Sequence, residues 1–354
     1  MSARAPRWWE PEAFRARRRH LEDRQKALRA VRRFFEERGF AEVETPALQV
    51  SPGLEPHLAA LAVELHCPDR MRTRTLYLHT SPEFAMKKLL VAGEPRLFQL
   101  CKVFRDAERA STHHPEFTML EWYRARAGYR DAMADCEGVV RAVFAAAGRD
   151  RCAWRGAEAD PFAAWEYLSV DEAFRRHAGI ELESVADSDS HDPDPDPLAA
   201  AARRIGVNAR EGDRWEDVFF RIFLERIEPR LGRRRPTILY DYPIAMAALA
   251  RAKPDDPLRA ERFELYLCGL ELANGFGELI DARIQRARFA AEVALKERLY
   301  GLAYPVDEDF LAALEHGMPE SAGVALGFDR LAMLVSGAER IEDVLWAPVA
   351  DLDS

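Results

Sequence analysis

An arginine that ends one strand and an aromatic ring that opens the next can lie side by side on a sheet, giving a cation for a phosphate and a flat surface for a purine. The stretch from Phe98 to Tyr123, FQLCKVFRDAERASTHHPEFTMLEWY, offers that pair in Arg105 and Phe117. Gln99, Cys101, Val103 and Arg105 alternate with Phe98, Leu100, Lys102 and Phe104, and Phe117, Met119, Glu121 and Tyr123 alternate with Thr118, Leu120 and Trp122. This period of two predicts paired strands joined by a polar loop, and hence a nucleotide site on an antiparallel sheet. Arg262 to Leu279, RFELYLCGLELANGFGEL, reads as two further strands hinged near Gly269, which bring Glu264 and Glu271 close enough to bind one cation. Carboxylates are the hard oxygen ligands that magnesium takes. In Gly323 to Leu334, GVALGFDRLAML, a strand, a glycine turn and a helix place Arg330 in the first helical turn, where an anion is favoured. Adjacent His113 and His114 make, by themselves, neither a metal site nor an acid–base pair and read as an exposed polar loop.

Those groups need a scaffold. Arg4 to Arg38 is rich in arginine, and Leu21, Leu28, Val31, Phe34 and Phe35 recur at helical spacing, predicting a helix that ends at Gly39 with its arginines on a solvated face. Phe40 to Pro46 follows as a short strand closed by proline, and Leu58 to His66 pairs with Thr75 to His79 around the turn at Cys67 to Arg70. In Thr80-Ser-Pro-Glu-Phe84, Ser81 suits a helix cap, Pro82 the first helical position and Glu83 the positive helix end. Tyr129 to Phe144 has a helical pattern, Gly148 to Trp165 is irregular, and Leu168 to Arg235 holds two or three helices. Within that region Ser184 to Pro197 is acidic, proline-rich and without apolar anchors, which predicts a mobile loop rather than a calcium site. Thr237 to Pro243 is a strand leading to a turn.

The 354 residues, 48% of them hydrophobic, can bury a large core in one to three domains. No run is long and apolar enough for a membrane span, and the N-terminus lacks the apolar centre of a signal peptide, so a cytoplasmic protein is expected. Five cysteines without paired spacing suggest reduced thiols rather than a zinc site or a disulfide framework. A net charge of -9 speaks against broad nucleic-acid binding, so tRNA is not the expected partner.

Three stretches resemble the motifs of the class II aminoacyl-tRNA synthetases. The long helix, short strand and Pro46 are similar to motif 1, the dimer interface of that family; Phe98 to Tyr123 resembles motif 2, with HHPEFTMLEWY close to the lysyl branch; Gly323 to Leu334 resembles motif 3. The resemblance implies an α+β fold, the class II catalytic fold with a central antiparallel sheet flanked by helices. It would span 26–349, after a basic arm at 1–25 and around a flexible acidic insert at about 184–197. ATP and Mg2+ are the implied cofactors. Arg105 and Arg330 become the catalytic cations at the α- and γ-phosphates, joined at ATP by Asp106, Glu108, His114, Phe117, Glu271, Leu272 and Gly327, while Glu264 and Glu271 take the metal. Ser81, Glu83, Tyr123, Asn274, Glu278 and Ala325 fall on a lysine-like substrate, with Glu83 and Glu278 receiving its two amino groups and Tyr123 the matching hydroxyl. Each such charge pair at about 4 Å is worth roughly 4 kcal/mol at an effective dielectric near 20, before desolvation. Placed at opposite ends of the pocket, the two glutamates would select a diamine of fixed length.

The pattern also departs from the lysyl branch. Arg105-Asp-Ala-Glu108 stands for Arg-Asn-Glu, so the carboxylate comes one residue late; His114 stands for Asn; and Ala325 stands for Gly, its extra methyl reshaping the amino-acid pocket. No anticodon-binding domain fits in the stretch before motif 1. With Ala325, that singles out a resemblance to the elongation factor P lysyl ligases, which are similar to truncated lysyl-tRNA synthetases. It implies activation of (R)-β-lysine, or lysine, as an aminoacyl-adenylate and its transfer to a lysine side chain of elongation factor P, by a homodimer. A stand-alone enzyme that acylates tRNA and a non-catalytic regulatory paralogue are the alternatives.

Overall fold

A computed structural model describes residues 7–182 and 193–350. Helix α1 (Pro11–Glu36) opens on a proline, inside the stretch expected as a separate arm, and turns Leu21, Ala27, Val31, Phe34 and Phe35 to the core. Its arginines are not all solvated: Arg24 is buried, pairs with Asp329 and donates to Thr118 Oγ1 at 2.9 Å. Strand β1 (Ala41–Glu42) keeps only two residues of the expected strand. The short β2 (Leu48–Gln49), with β3 (Ala62–His66) and β4 (Thr73–Leu78), forms a separate three-stranded sheet, in which β3 and β4 pair as predicted.

After α2 (Glu83–Val91) come the two long strands β5 (Arg96–Phe104) and β6 (Glu116–Ala125), then α3 (Tyr129–Ala147). The segment read as irregular folds instead into a hairpin, β7 (Cys152–Trp154) and β8 (Ala157–Ala159), because Arg155 and Gly156 adopt positive φ of 45° and 75° between strands of three residues each. Strand β9 (Glu166–Ser169) leads into α4 (Val170–Ala178), capped by Ser169, and α5 (Pro195–Arg204) is capped by Asp194. Most of the insert expected to be mobile lies outside the described residues, but its last three residues form the first turn of α5. The remainder is α6 (Trp215–Ile222), β10 (Thr237–Pro243), β11 (Arg259–Leu267), β12 (Leu270–Gly277), α7 (Ala282–Tyr300), α8 (Glu308–Gly317), β13 (Ser321–Gly327) and α9 (Phe328–Ser336). Gly269, at φ 77°, makes the predicted tight turn between β11 and β12.

Eight strands form the main sheet in the order β1-β5-β6-β13-β12-β11-β10-β9. The six central strands are antiparallel, while β1 and β9 pair parallel to their neighbours, so the sheet is mixed and not antiparallel throughout. On one face α1, α3 and α9 cover Phe98, Leu120, Trp122 and Leu326, with the Phe35 ring stacked 4.9 Å from Phe98. On the other, Leu97 and Tyr123 pack against Phe84 of α2, Phe289 of α7 and Phe310 of α8. A third core joins α4, α5 and α6 to β10. No helix among the described residues is long and apolar enough to cross a membrane.

Candidate active site

One row of side chains crosses the sheet. Gln99, Glu121, Ala325, Asn274 and Glu264, from β5, β6, β13, β12 and β11 in turn, are direct cross-strand partners. Such partners share a face, so the alternation that buries Leu120 and Trp122 under the helices delivers Glu121 to the opposite side. Beside this row lies a cavity of about 310 Å³, whose lining includes Glu83, Arg105, Phe117, Glu271, Asn274 and Arg330.

At the end of the cavity lined by Phe117, Arg105 follows directly on β5 and its N–H donates to Pro115 O at 2.9 Å, closing the loop. The guanidinium carbon lies 5.2 Å from the centre of the Phe117 ring, the pairing predicted from sequence. Arg330, in the first turn of α9, donates to Glu271 O at 2.9 Å and to Thr112 O at 3.3 Å. Its Nη2 is 2.7 Å from His113 Nε2. A guanidinium only donates, so that imidazole nitrogen accepts, and burial with the neighbouring Arg330 charge holds His113 below the usual imidazole value. His113 thus belongs to the site rather than to an exposed loop. Glu108 lines the cavity 3.9 Å from Arg105, and Leu272 and Gly327 line it as well.

Asp106 and His114 behave otherwise. Asp106 accepts from the Ala107 N–H at 2.8 Å, its own N–H bonds Ala59 O at 2.9 Å, and it does not line the cavity. His114 edges the cavity but is buried, with Nδ1 2.7 Å from Glu116 O and Nε2 accepting from the Val349 N–H at 3.2 Å. Both of its nitrogens are therefore engaged by backbone. These hydrogen bonds hold the loop in shape, and the expected ATP contacts of the two residues stay expectations.

Toward α2, Ser81 Oγ donates to Glu121 Oε2 at 2.7 Å and accepts from the Glu83 N–H at 3.0 Å, while the Tyr123 hydroxyl donates to Glu121 Oε1 at 2.6 Å. Burial, then the nearby Glu83 charge, pushes the Glu121 carboxyl up to about 8. Lys87 lies one helical turn after Glu83, and its Nζ is 2.5 Å from Glu83 Oε1 and 2.5 Å from Glu278 Oε2. Two such contacts on one atom leave those oxygens no farther apart than twice that distance. The expectation of glutamates at opposite ends of the pocket is overturned; they form one cluster. Burial raises the Glu278 carboxyl to about 7 in spite of Lys87, which lowers it. Gly323 makes room here, since a Cβ would lie 2.2 Å from a Tyr123 ring carbon and 2.5 Å from Glu278 Oε1. Ala325 stands between Glu121 and Asn274, whose buried Oδ1 has no protein partner. Glu55 also lines the cavity, its carboxyl raised by burial and by Glu83.

The two residues expected at a metal differ in availability. Glu264 accepts from Arg262 at 2.8 Å, Tyr242 at 2.5 Å and Tyr266 at 2.6 Å, which fills about three of its four lone-pair positions. Glu271 is open to the cavity, 3.7 Å from Arg330, and burial and Glu264 push its carboxyl up to about 7. Among the described residues no group of three or more His, Cys, Asp or Glu side chains could hold a metal ion. The donor set fits a magnesium ion that takes one or two carboxylates and completes its shell with phosphate oxygens, and Glu271 is the carboxylate with oxygens free toward the cavity.

Sequence reasoning passed over Glu121, Lys87, Glu55 and the placement of His113. A signal existed for the first two: Glu121 shares the parity of Phe117 and Tyr123, and Lys87 is four residues after Glu83 on a helix. Glu55 and His113 sit on loops without a local pattern.

Residues 12–350 match the family described as tRNA synthetases class II (D, K and N). A protein named elongation factor P–(R)-β-lysine ligase from Haemophilus influenzae is 38% identical over 337 residues, which cover 95% of this chain and 96% of the relative. Proteins of that name from Histophilus somni and Pectobacterium atrosepticum are 37% and 40% identical, again over 95% of this chain and 96% of their own length.

Proposed function

Because the chain belongs to the class II tRNA synthetase family of the D, K and N type, we propose that it is an ATP-dependent ligase that joins (R)-β-lysine to a lysine side chain of elongation factor P, as its relatives are named for doing. The observation that carries this reading is an acidic cluster at the cavity: half-buried Glu83 lines it with Arg105, Phe117 and Arg330, and the buried Glu278 and Glu121 are joined to Glu83 through Lys87 and Ser81. Acids of that kind suit ammonium groups, and the cations beside them suit a polyphosphate.

In this reading the adenine stacks on Phe117, with Leu272, Gly327 and Glu108 around the nucleotide, Arg105 at the α-phosphate and Arg330 at the γ-phosphate. Ser81, Glu83, Glu121, Tyr123 and Glu278 take the amines, with Asn274 and Ala325 along the chain of the amino acid. The amino-acid carboxylate attacks the α-phosphate in line and pyrophosphate leaves; the acceptor lysine amine then attacks the adenylate carbonyl and AMP leaves. Arg105 and Arg330 stabilise charge that develops on phosphate oxygens, so the work is positioning and electrostatics and needs no side-chain nucleophile. Mg2+, held by Glu271 with Glu264 behind it, would supply further neutralisation of phosphate charge. A cytoplasmic setting and a homodimer through α1 and β1 complete the proposal; sedimentation at the monomer mass of 40.2 kDa would remove the dimer.

The deciding experiment is ATP–pyrophosphate exchange with (R)-β-lysine and with α-lysine, followed by acceptor assays on elongation factor P and on bulk tRNA. Exchange with β-lysine and labelling of elongation factor P are expected. No exchange with either amino acid would remove the ligase reading, and labelling of tRNA would replace the acceptor.

A further inference from the structure

A lysine that is 1% exposed keeps its charge only if anions surround it, and Lys87 has two, Glu83 and Glu278, each at 2.5 Å. Every element around it contributes ionisable groups. Strand β6 supplies Glu121 and Tyr123, whose ring centre is 5.9 Å from the Lys87 ammonium, and the loop before β3 supplies Glu55, close enough to feel Glu83. Arg251, whose charge reaches Glu278, is held by Glu261 at 2.9 Å, and Asp307 at the start of α8 is held by Lys88 at 2.9 Å. Lys87 is therefore the cation seated between the amine-binding acids. We infer that it is a positioning residue of the amine pocket, a built-in ammonium that holds the Glu83 and Glu278 carboxyls adjacent until the substrate ammonium shares them.

A buried carboxyl such as that of Glu278 resists ionising next to a second carboxylate unless a cation sits between them. With Lys87 in place and Glu278 ionised, as it becomes above pH about 7, the Glu83–Lys87–Glu278 group carries one surplus negative charge, matched by one ammonium. A neutral side chain would leave that charge unpaired, so Lys87 sharpens selection for an amine instead of competing with it. The inference rests on the functional reading above.

The test compares wild type with Lys87→Gln, Lys87→Met and Lys87→Arg in ATP–pyrophosphate exchange with (R)-β-lysine across neutral and alkaline pH. For the Gln and Met variants, KM for β-lysine at neutral pH should rise about tenfold or more while KM for ATP stays within about twofold. The pH at which KM for β-lysine falls should move up by about one unit or more, because Glu278 ionises later without the cation. Lys87→Arg should restore the wild-type profile. An unchanged pH profile with a uniform loss of kcat would overturn the inference. So would a Gln variant that circular dichroism shows to be unfolded, since Lys87 would then be a folding cation. A wild-type protein that exchanges with neither lysine isomer fails one step earlier, at the functional reading, and takes this inference with it.

Discussion

Glu278 is the side chain on which pH should act. Its carboxyl, raised to about 7 by burial, is largely protonated in mildly acidic solution and so a poor partner for an ammonium. As pH rises through about 7 it ionises, and KM for the amino acid should fall and then level off. Glu278→Gln should abolish the step and weaken amino-acid binding about tenfold or more, a loss of about 1.4 kcal/mol at least. Exchange kinetics across this pH range would show it; a KM for β-lysine that does not move in wild type would separate Glu278 from the amine.

Among elements, α9 illustrates how one turn divides two jobs. Asp329 points back into the core, pairing with Arg24 of α1 and accepting from the Thr118 N–H of β6 at 2.8 Å, while the next residue, Arg330, reaches into the cavity. Three elements thus fix the base from which Arg330, the proposed phosphate-binding arginine, projects. Removing one member of a buried ion pair strands the other, at about 3–5 kcal/mol. Asp329→Ala should therefore lower stability by roughly that amount, read as a drop in the urea midpoint at unchanged slope, and should also depress exchange by loosening Arg330. A variant of wild-type stability would show that the Arg24 pair does not hold these elements together.

For the molecule as a whole, legibility followed the range of the interactions. Strands β5 and β6, the turn at Gly269 and the meeting of Arg105 with Phe117 were readable, because alternation and a tight turn are local consequences of backbone geometry. The parallel edges β1 and β9 were not, since pairing of a short edge strand depends on what lies beside it. Nor was the burial of Arg24, whose partner is brought to it only by the fold. The meeting of Glu83 and Glu278 on Lys87 was lost for the same reason, although each glutamate had been assigned to an amine. The row from Gln99 to Glu264 has one more consequence. Neighbouring strands lie about 4.8 Å apart, so Glu121 and Glu264, three strands removed, are separated by about 14 Å across the sheet. In the proposed reading, the bench for amine and phosphate is a ruler graduated in strands, too coarse for the single methylene that distinguishes one amino acid from its homologue. Adaptation to a new substrate has only a vernier available, the length of the side chain standing on each mark, and Ala325, next to Glu121, is the mark with the shortest pointer.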